Sequence, residues 1–130
     1  MPNVVFFSFR EVNRETVLTI KGRAVNPSYS NLNFRVKDLL KRWKTEDEAV
    51  IKQAISKAMV GTSRTIVFVG ETTYVSKWVK EEVKMSISNG KPVYAIRLKD
   101  TNGTKPQILS DNNIFLWAWS EERLQELATK

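Results

Sequence analysis

The stretch Ser76-Lys77-Trp78-Val79-Lys80-Glu81-Glu82-Val83 places two adjacent carboxylates among tryptophan, valine and lysine. Wound as a helix at about 100° per residue from Trp78, it puts Val79 at about 100°, Val83 at about 140°, Ile87 at about 180° and Met85 at about 340°. These four and Trp78 outline an apolar arc. Glu82 falls at about 40°, inside the arc, whereas Glu81 falls at about 300°, towards Lys77, Lys84 and solvent. A carboxylate on a buried face is costly unless it is paired or put to use. Glu82 is therefore the candidate functional acid. The plain structural alternative seats it at the edge of the arc, paired with an arginine from a neighbouring element.

The 130 residues include no His and no Cys. That excludes a Ser-His-Asp triad, a thiol nucleophile, a disulfide and Cys-ligated zinc, and it removes the usual imidazole metal ligand, so no metal site is expected. Chemistry falls to carboxylates, hydroxyls, Lys, Arg, Tyr or backbone groups. The net charge is +7, and residues 1–60 hold 11 of the basic residues against 6 acids. Such a bias suits an anionic partner (a nucleotide, a polyphosphate cofactor or a nucleic acid) or serves only as a solubilising surface.

A composition of 42% hydrophobic and 27% charged residues excludes wholesale disorder, and the length fits one domain over 1–130. No apolar run approaches the ~20 residues that span a bilayer. The opening Met-Pro-Asn-Val-Val-Phe-Phe reads as a strand rather than a targeting segment, so a cytoplasmic protein without a membrane partner is expected.

The elements that position Glu82 follow from periodicity. Asn3 to Phe9 and Thr65 to Val69 are near-continuous apolar runs, as in strands buried on both faces of a parallel sheet. Residues 14–25 form a weakly amphipathic helix, and residues 26–31 a turn-rich break before a short strand at 32–36. Thr45 and Glu48 fit a capping box for a helix that runs to Met59 and stops at Gly61. A helix at 76–88 stops at Asn89-Gly90, and Pro92 to Leu98 is the fourth strand. Residues 99–112 read as a polar loop, Ile114 to Trp117 as the fifth strand, and Ser120 opens a last helix. This alternation predicts an open parallel sheet with helices on both faces. In the flavodoxin-like order 2-1-3-4-5, the ligand crevice lies between the ends of the first and third strands, near Phe9 and Gly70.

Two segments resemble TIR and TIR-like domains. Val4-Val5-Phe6-Phe7-Ser8-Phe9 is similar to their first strand. The pattern Ile66-Val67-Phe68-Val69-Gly70, then Ser76, Trp78, Val79 and Glu82, resembles their third strand and the Ser-x-Trp-(Cys/Val)-x-x-Glu helix whose glutamate is catalytic. The likeness spans roughly residues 4–100, and it resembles the bacterial TIR-like group that includes the Thoeris antiphage proteins.

The resemblance implies a three-layer, TIR-type α/β domain of five parallel strands. It implies an NAD nucleosidase or cyclase that needs no resident cofactor: NAD is the substrate, and the product is an ADP-ribose-derived, cyclic signal in antiphage defence. Nicotinamide leaves NAD as a neutral base, so no general acid is needed, and a carboxylate steadies the oxocarbenium-like charge that develops. Glu82 takes that role, which calls for an ionised and only partly buried side chain. Phe7, Ser8 and Phe9 would shape the nicotinamide-ribose pocket, with core packing as the plain alternative for the two rings. Asp38 and Trp43 would fill the acidic and aromatic places after the second strand. Ser76 and Trp78 complete the site, the first more simply a helix cap and the second a wall against Glu82.

The patch of Arg35, Lys37, Lys41, Arg42 and Lys44 around Asp38 would face the NAD pyrophosphate or simply be solvated. Further partners implied are a second copy through TIR–TIR contacts, a phage-derived activator and an effector that senses the product. A non-catalytic interaction module is the alternative reading. A nucleic-acid binder has no supporting motif. A phosphoacceptor receiver would need an Asp at the end of the third strand, where this chain has Val69-Gly70-Glu71.

Overall fold

The computed structural model describes residues 4–25, 35–38 and 47–130. In chain order these form β1 (Val4–Phe9), α1 (Arg14–Val25), β2 (Arg35–Asp38), α2 (Glu48–Met59), β3 (Arg64–Val69), α3 (Lys77–Ser88), β4 (Val93–Arg97), α4 (Gln107–Asp111), β5 (Leu116–Trp117) and α5 (Glu121–Thr129). The five strands lie in the order β2-β1-β3-β4-β5, and every pair is parallel, as the βαβ alternation requires.

The two apolar runs become the central strands because both of their faces are covered. Side chains alternate across a strand. Val5, Phe7 and Phe9 of β1, with Ile66 and Phe68 of β3, meet Val17, Ile20 and Ala24 of α1 and Leu124, Leu127 and Ala128 of α5. On the opposite face, Phe6 meets Ile51, Ile55 and Met59 of α2. Beside it, Val67 and Val69 meet Val79 and Val83 of α3 and Leu109 of α4. Each of these fully buried large side chains contributes about 1.5–3 kcal/mol of hydrophobic stabilisation.

Helix ends follow local chemistry. Ser76 caps α3 by accepting from Val79 N at 3.2 Å. Gly61 and Gly90 close α2 and α3 at φ +82° and +69°, a left-handed backbone that glycine adopts without a Cβ penalty.

Three boundaries differ from the sequence reading. The described part of the second strand runs Arg35–Asp38, two residues past the expected end at 36, because its pairing with Val4–Phe7 fixes the register of a half-exposed edge strand. Residues 32–34 and Thr45 fall outside the described residues. The α2 cap is Asp47, whose Oδ1 accepts from Ala49 N at 2.9 Å. Within the supposed loop at 99–112, Gln107–Asp111 winds into α4 because Leu109 is drawn fully into the core. Among the described residues, no helix is long and apolar enough to cross a membrane.

Candidate active site

Helix α3 lays its arc on the sheet as the wheel requires. Val79 and Val83 pack under β3 and β4, and Trp78 and Met85 lean on the Phe6–Ile51–Ile55 cluster towards α2. Glu82 lies between these two contacts, against β1. Ser8 is the small residue of the β1 face between Phe6 and the strand end, so the carboxylate fits beneath the sheet. Ser8 Oγ donates to Glu82 Oε1 at 2.9 Å. Both residues are 0% exposed. The expectation of partial burial is thus corrected: the small residue opens a slot in the apolar layer, and the hydrogen bond offsets part of the desolvation of the acid.

Glu81 is corrected too. It is buried rather than solvated, with Lys84 Nζ 3.7 Å from Oε1. Helix α4, unforeseen from the sequence, packs beside α3 through Leu109 on Val79 and Val83. Between them is a cavity of about 490 Å³ lined by Ser76, Lys77, Lys80, Glu81, Gln107 and Ile108, among others. Glu82 does not line it.

The expected crevice beyond Phe9 and Gly70 is filled by protein. Gly70 N donates to Thr73 Oγ1 at 2.8 Å, and the Arg10 guanidinium donates to Thr72 Oγ1. A Cβ at Gly70 would stand 2.6 Å from Asn13 Oδ1, and one at Gly103 would stand 2.0 Å from Gly70 O. Asn13 Oδ1 is buried with no hydrogen-bond partner among the described residues. Arg10, Asn13 and Gly103 were missed by sequence reasoning. Only the Asn102-Gly103 dipeptide carries a local signal, that of a tight turn.

The other candidate residues divide between the two faces of the sheet. Phe7 and Phe9 are fully buried among α1 and α5, opposite Ser8 and Glu82, and Phe7 meets Phe68 edge-to-face at 4.6 Å. Asp38 ends β2 in register with Phe7 and therefore faces α1 as well. Lys21 Nζ donates to its Oδ2 at 3.0 Å, and its Oδ1 has no hydrogen-bond partner among the described residues. The sheet therefore separates Asp38 from Glu82. Ser76 is a helix cap and Trp78 a half-buried packing wall. Arg35 and Lys37 are exposed on β2, while Lys41, Arg42, Trp43 and Lys44 lie outside the described residues. No cluster of acids fit to hold a metal ion occurs among the described residues.

Comparison with known proteins bears on the family and the fold. Residues 6–103 match the family model described as "Thoeris protein ThsB, TIR-like domain". No curated protein matches the chain. Among solved structures, the chain is similar to the TIR domain of the Toll-related receptor TRR-2 from Hydra magnipapillata. The TM-score is 0.62 at 14% identity, covering 95% of this chain and 90% of that one. At that identity the likeness speaks for the fold.

Proposed function

We propose that this chain, which belongs to the Thoeris ThsB TIR-like domain family, consumes NAD by cleaving its nicotinamide–ribose bond with Glu82. The observation that carries this reading is the acid four residues after Trp78, held in mid-helix against β1 by Ser8 at 2.9 Å. The C1′–N bond breaks, its electron pair passes to the pyridinium nitrogen, and nicotinamide leaves neutral. The positive charge left on the ribosyl ring is steadied by the Glu82 carboxylate, and C1′ is then captured by water or by a nucleophile within the ADP-ribose itself. Internal capture yields a cyclic product, which would serve as a defence signal read by a separate effector in the cytoplasm.

The sealed carboxylate bears on when this happens. Glu82 is 0% exposed, so substrate reaches it only after α3 or its cover moves. TIR domains associate with one another, and assembly of copies, set off by infection, is the event that would open the site.

The same burial favours a second reading, a TIR module that only self-associates. Chromatography and mass analysis of NAD products separate the two. Assembled wild-type protein releases nicotinamide and an ADP-ribose product, and Glu82→Gln releases neither. Turnover unaffected by that substitution would remove Glu82 from the chemistry, and no turnover in any assembled state would leave the interaction module.

A further inference from the structure

We infer that the outer face of α3 carries a second ligand site, built on Glu81 and separate from Glu82, that takes a nucleoside 5′-phosphate. It does not depend on the proposed reaction, since Glu82 does not line the cavity concerned.

Glu81 is the starting point. Its side chain is 4% exposed, and Lys84 Nζ stands 3.7 Å from Oε1, longer than a hydrogen bond. A buried carboxylate is costly unless it is put to use. It has about four acceptor positions, and a single distant lysine leaves most of them for a ligand. Glu81 lines the cavity of about 490 Å³ between α3 and α4, a volume within the ~300–1,000 Å³ usual for small-molecule sites.

The other walls define the occupant. Lys77, Lys80 and Lys84 recur at helical spacing, so their ammonium groups share one ridge of α3 along the cavity. Two further acids reach the cavity from neighbouring helices, Glu48 of α2 and Asp111 of α4, and Asp111 Oδ1 already accepts from Gln107 Nε2 at 2.8 Å. Just before α3, Tyr74 and Val75 are 49% and 55% exposed and give the cavity an apolar shelf. Ser76 to Lys84 spans about 12 Å of helix, room for a ring, a sugar and an anion in a row. A nucleoside 5′-phosphate supplies all three: a flat base for the shelf, a vicinal diol that donates to Glu81, and a phosphate for the lysines. A carboxylate that accepts from ribose hydroxyls is a recurring device of nucleotide sites. An inorganic anion would be repelled by Glu81, and an organic cation would face the three lysines.

The test titrates AMP into the full chain and follows backbone amide shifts by nuclear magnetic resonance. Saturable shifts are expected at the residues of α3 and α4 that line the cavity. Adenosine, ribose 5-phosphate and 2′,3′-dideoxy-AMP lack the phosphate, the base and the diol in turn. Each should bind about tenfold or more weakly than AMP, the size of one charge-assisted contact or one stacked base. Glu81→Gln keeps the side-chain shape. It should weaken AMP by about tenfold to a hundredfold and erase the preference for AMP over its dideoxy analogue. Lys80→Ala, at an exposed position, should narrow the preference for AMP over adenosine. Glu82→Gln should bind AMP as the wild type does. The inference is overturned if millimolar AMP moves no amide of the cavity, if Glu81→Gln binds AMP undiminished, or if AMP and its dideoxy analogue bind alike. Loss of AMP binding in Glu82→Gln overturns it too, because the nucleotide would then belong to the other acid. If AMP binds as expected while no assembled form turns over NAD, this site stands and it is the proposed reaction that fails.

Discussion

Replacing Glu82 by glutamine separates a functional acid from a structural one, because the two predict opposite signs for stability. The variant keeps the side-chain shape in a slot that is 0% exposed. It removes an ionic charge whose burial costs several kcal/mol. It also weakens the 2.9 Å hydrogen bond from Ser8, from the ~1.5–3 kcal/mol typical of a charged acceptor to the ~0.5–1.5 kcal/mol of a neutral one. The first effect is the larger, so Glu82→Gln is expected to raise stability by about 1–2 kcal/mol, or about 3–8 °C in Tm for a domain of this size. Glu82→Ala should go the other way, by about 2–4 kcal/mol, since it leaves a void and an unpaired buried hydroxyl. Scanning calorimetry on the same preparations used for NAD turnover reads both. The expected pattern is a more stable and inactive Glu82→Gln, which is how an acid kept for chemistry rather than for folding behaves. A Tm for Glu82→Gln below wild type by the equivalent of about 1 kcal/mol would falsify the reasoning, because the charge would then be part of what holds α3 to β1.

Three further outcomes are expected. Trp78→Ala should lose about 2–4 kcal/mol in urea unfolding, somewhat less than a fully buried tryptophan, because the ring is half-buried against Phe6, Ile51 and Ile55; a loss below about 1 kcal/mol would mean the wall is not packed. Gly103→Ala should cost far more than Gly22→Ala. The added methyl meets Gly70 O at 2.0 Å in the first and nothing within 4 Å in the second, where helix propensity instead predicts a gain of about 0.5–1 kcal/mol. Equal thermal shifts for the two would contradict the filled crevice. Because Glu82 is sealed in the isolated domain, NAD turnover per molecule should rise with protein concentration or on a clustering scaffold. A specific activity flat across a hundredfold dilution would show that opening does not depend on assembly.

Much of the architecture was legible because its cause is local or repeats along the chain. Val4–Phe9 is apolar at all but Ser8 and Ile66–Val69 at every position, which only a strand covered on both faces tolerates. The Glu82 azimuth was legible for the same reason, since 3.6 residues per turn leave it no other place than between Trp78 and Val79. A helical wheel gives direction and no depth. Glu81 points away from the sheet and is nonetheless buried, on the side of the helix next to Trp78 and Met85. The five-residue helix α4 was the other feature the sequence hid, and it holds by the burial of Leu109. Pro106, Asn102-Gly103 and Asn112-Asn113 punctuate the segment so densely that propensity favours a loop there.

The division of the candidate site follows from a rule that was available in the sequence. Side chains alternate along a strand, so Ser8 cannot share a face with Phe7 and Phe9. If Ser8 faces α3, the two phenylalanines face α1, and parallel pairing carries Asp38 with Phe7 to that side. A ligand touching both Glu82 and Asp38 cannot pass between them through the hydrogen-bonded sheet. It must bend over the carboxyl edge, beyond Phe9. That edge is held by Arg10 on Thr72, Asn13 against Gly70 and Gly103 on Gly70. The segment that joins β1 to α1 therefore packs on the end of β3 at that edge, and an opening beyond Phe9 and Gly70 must move it.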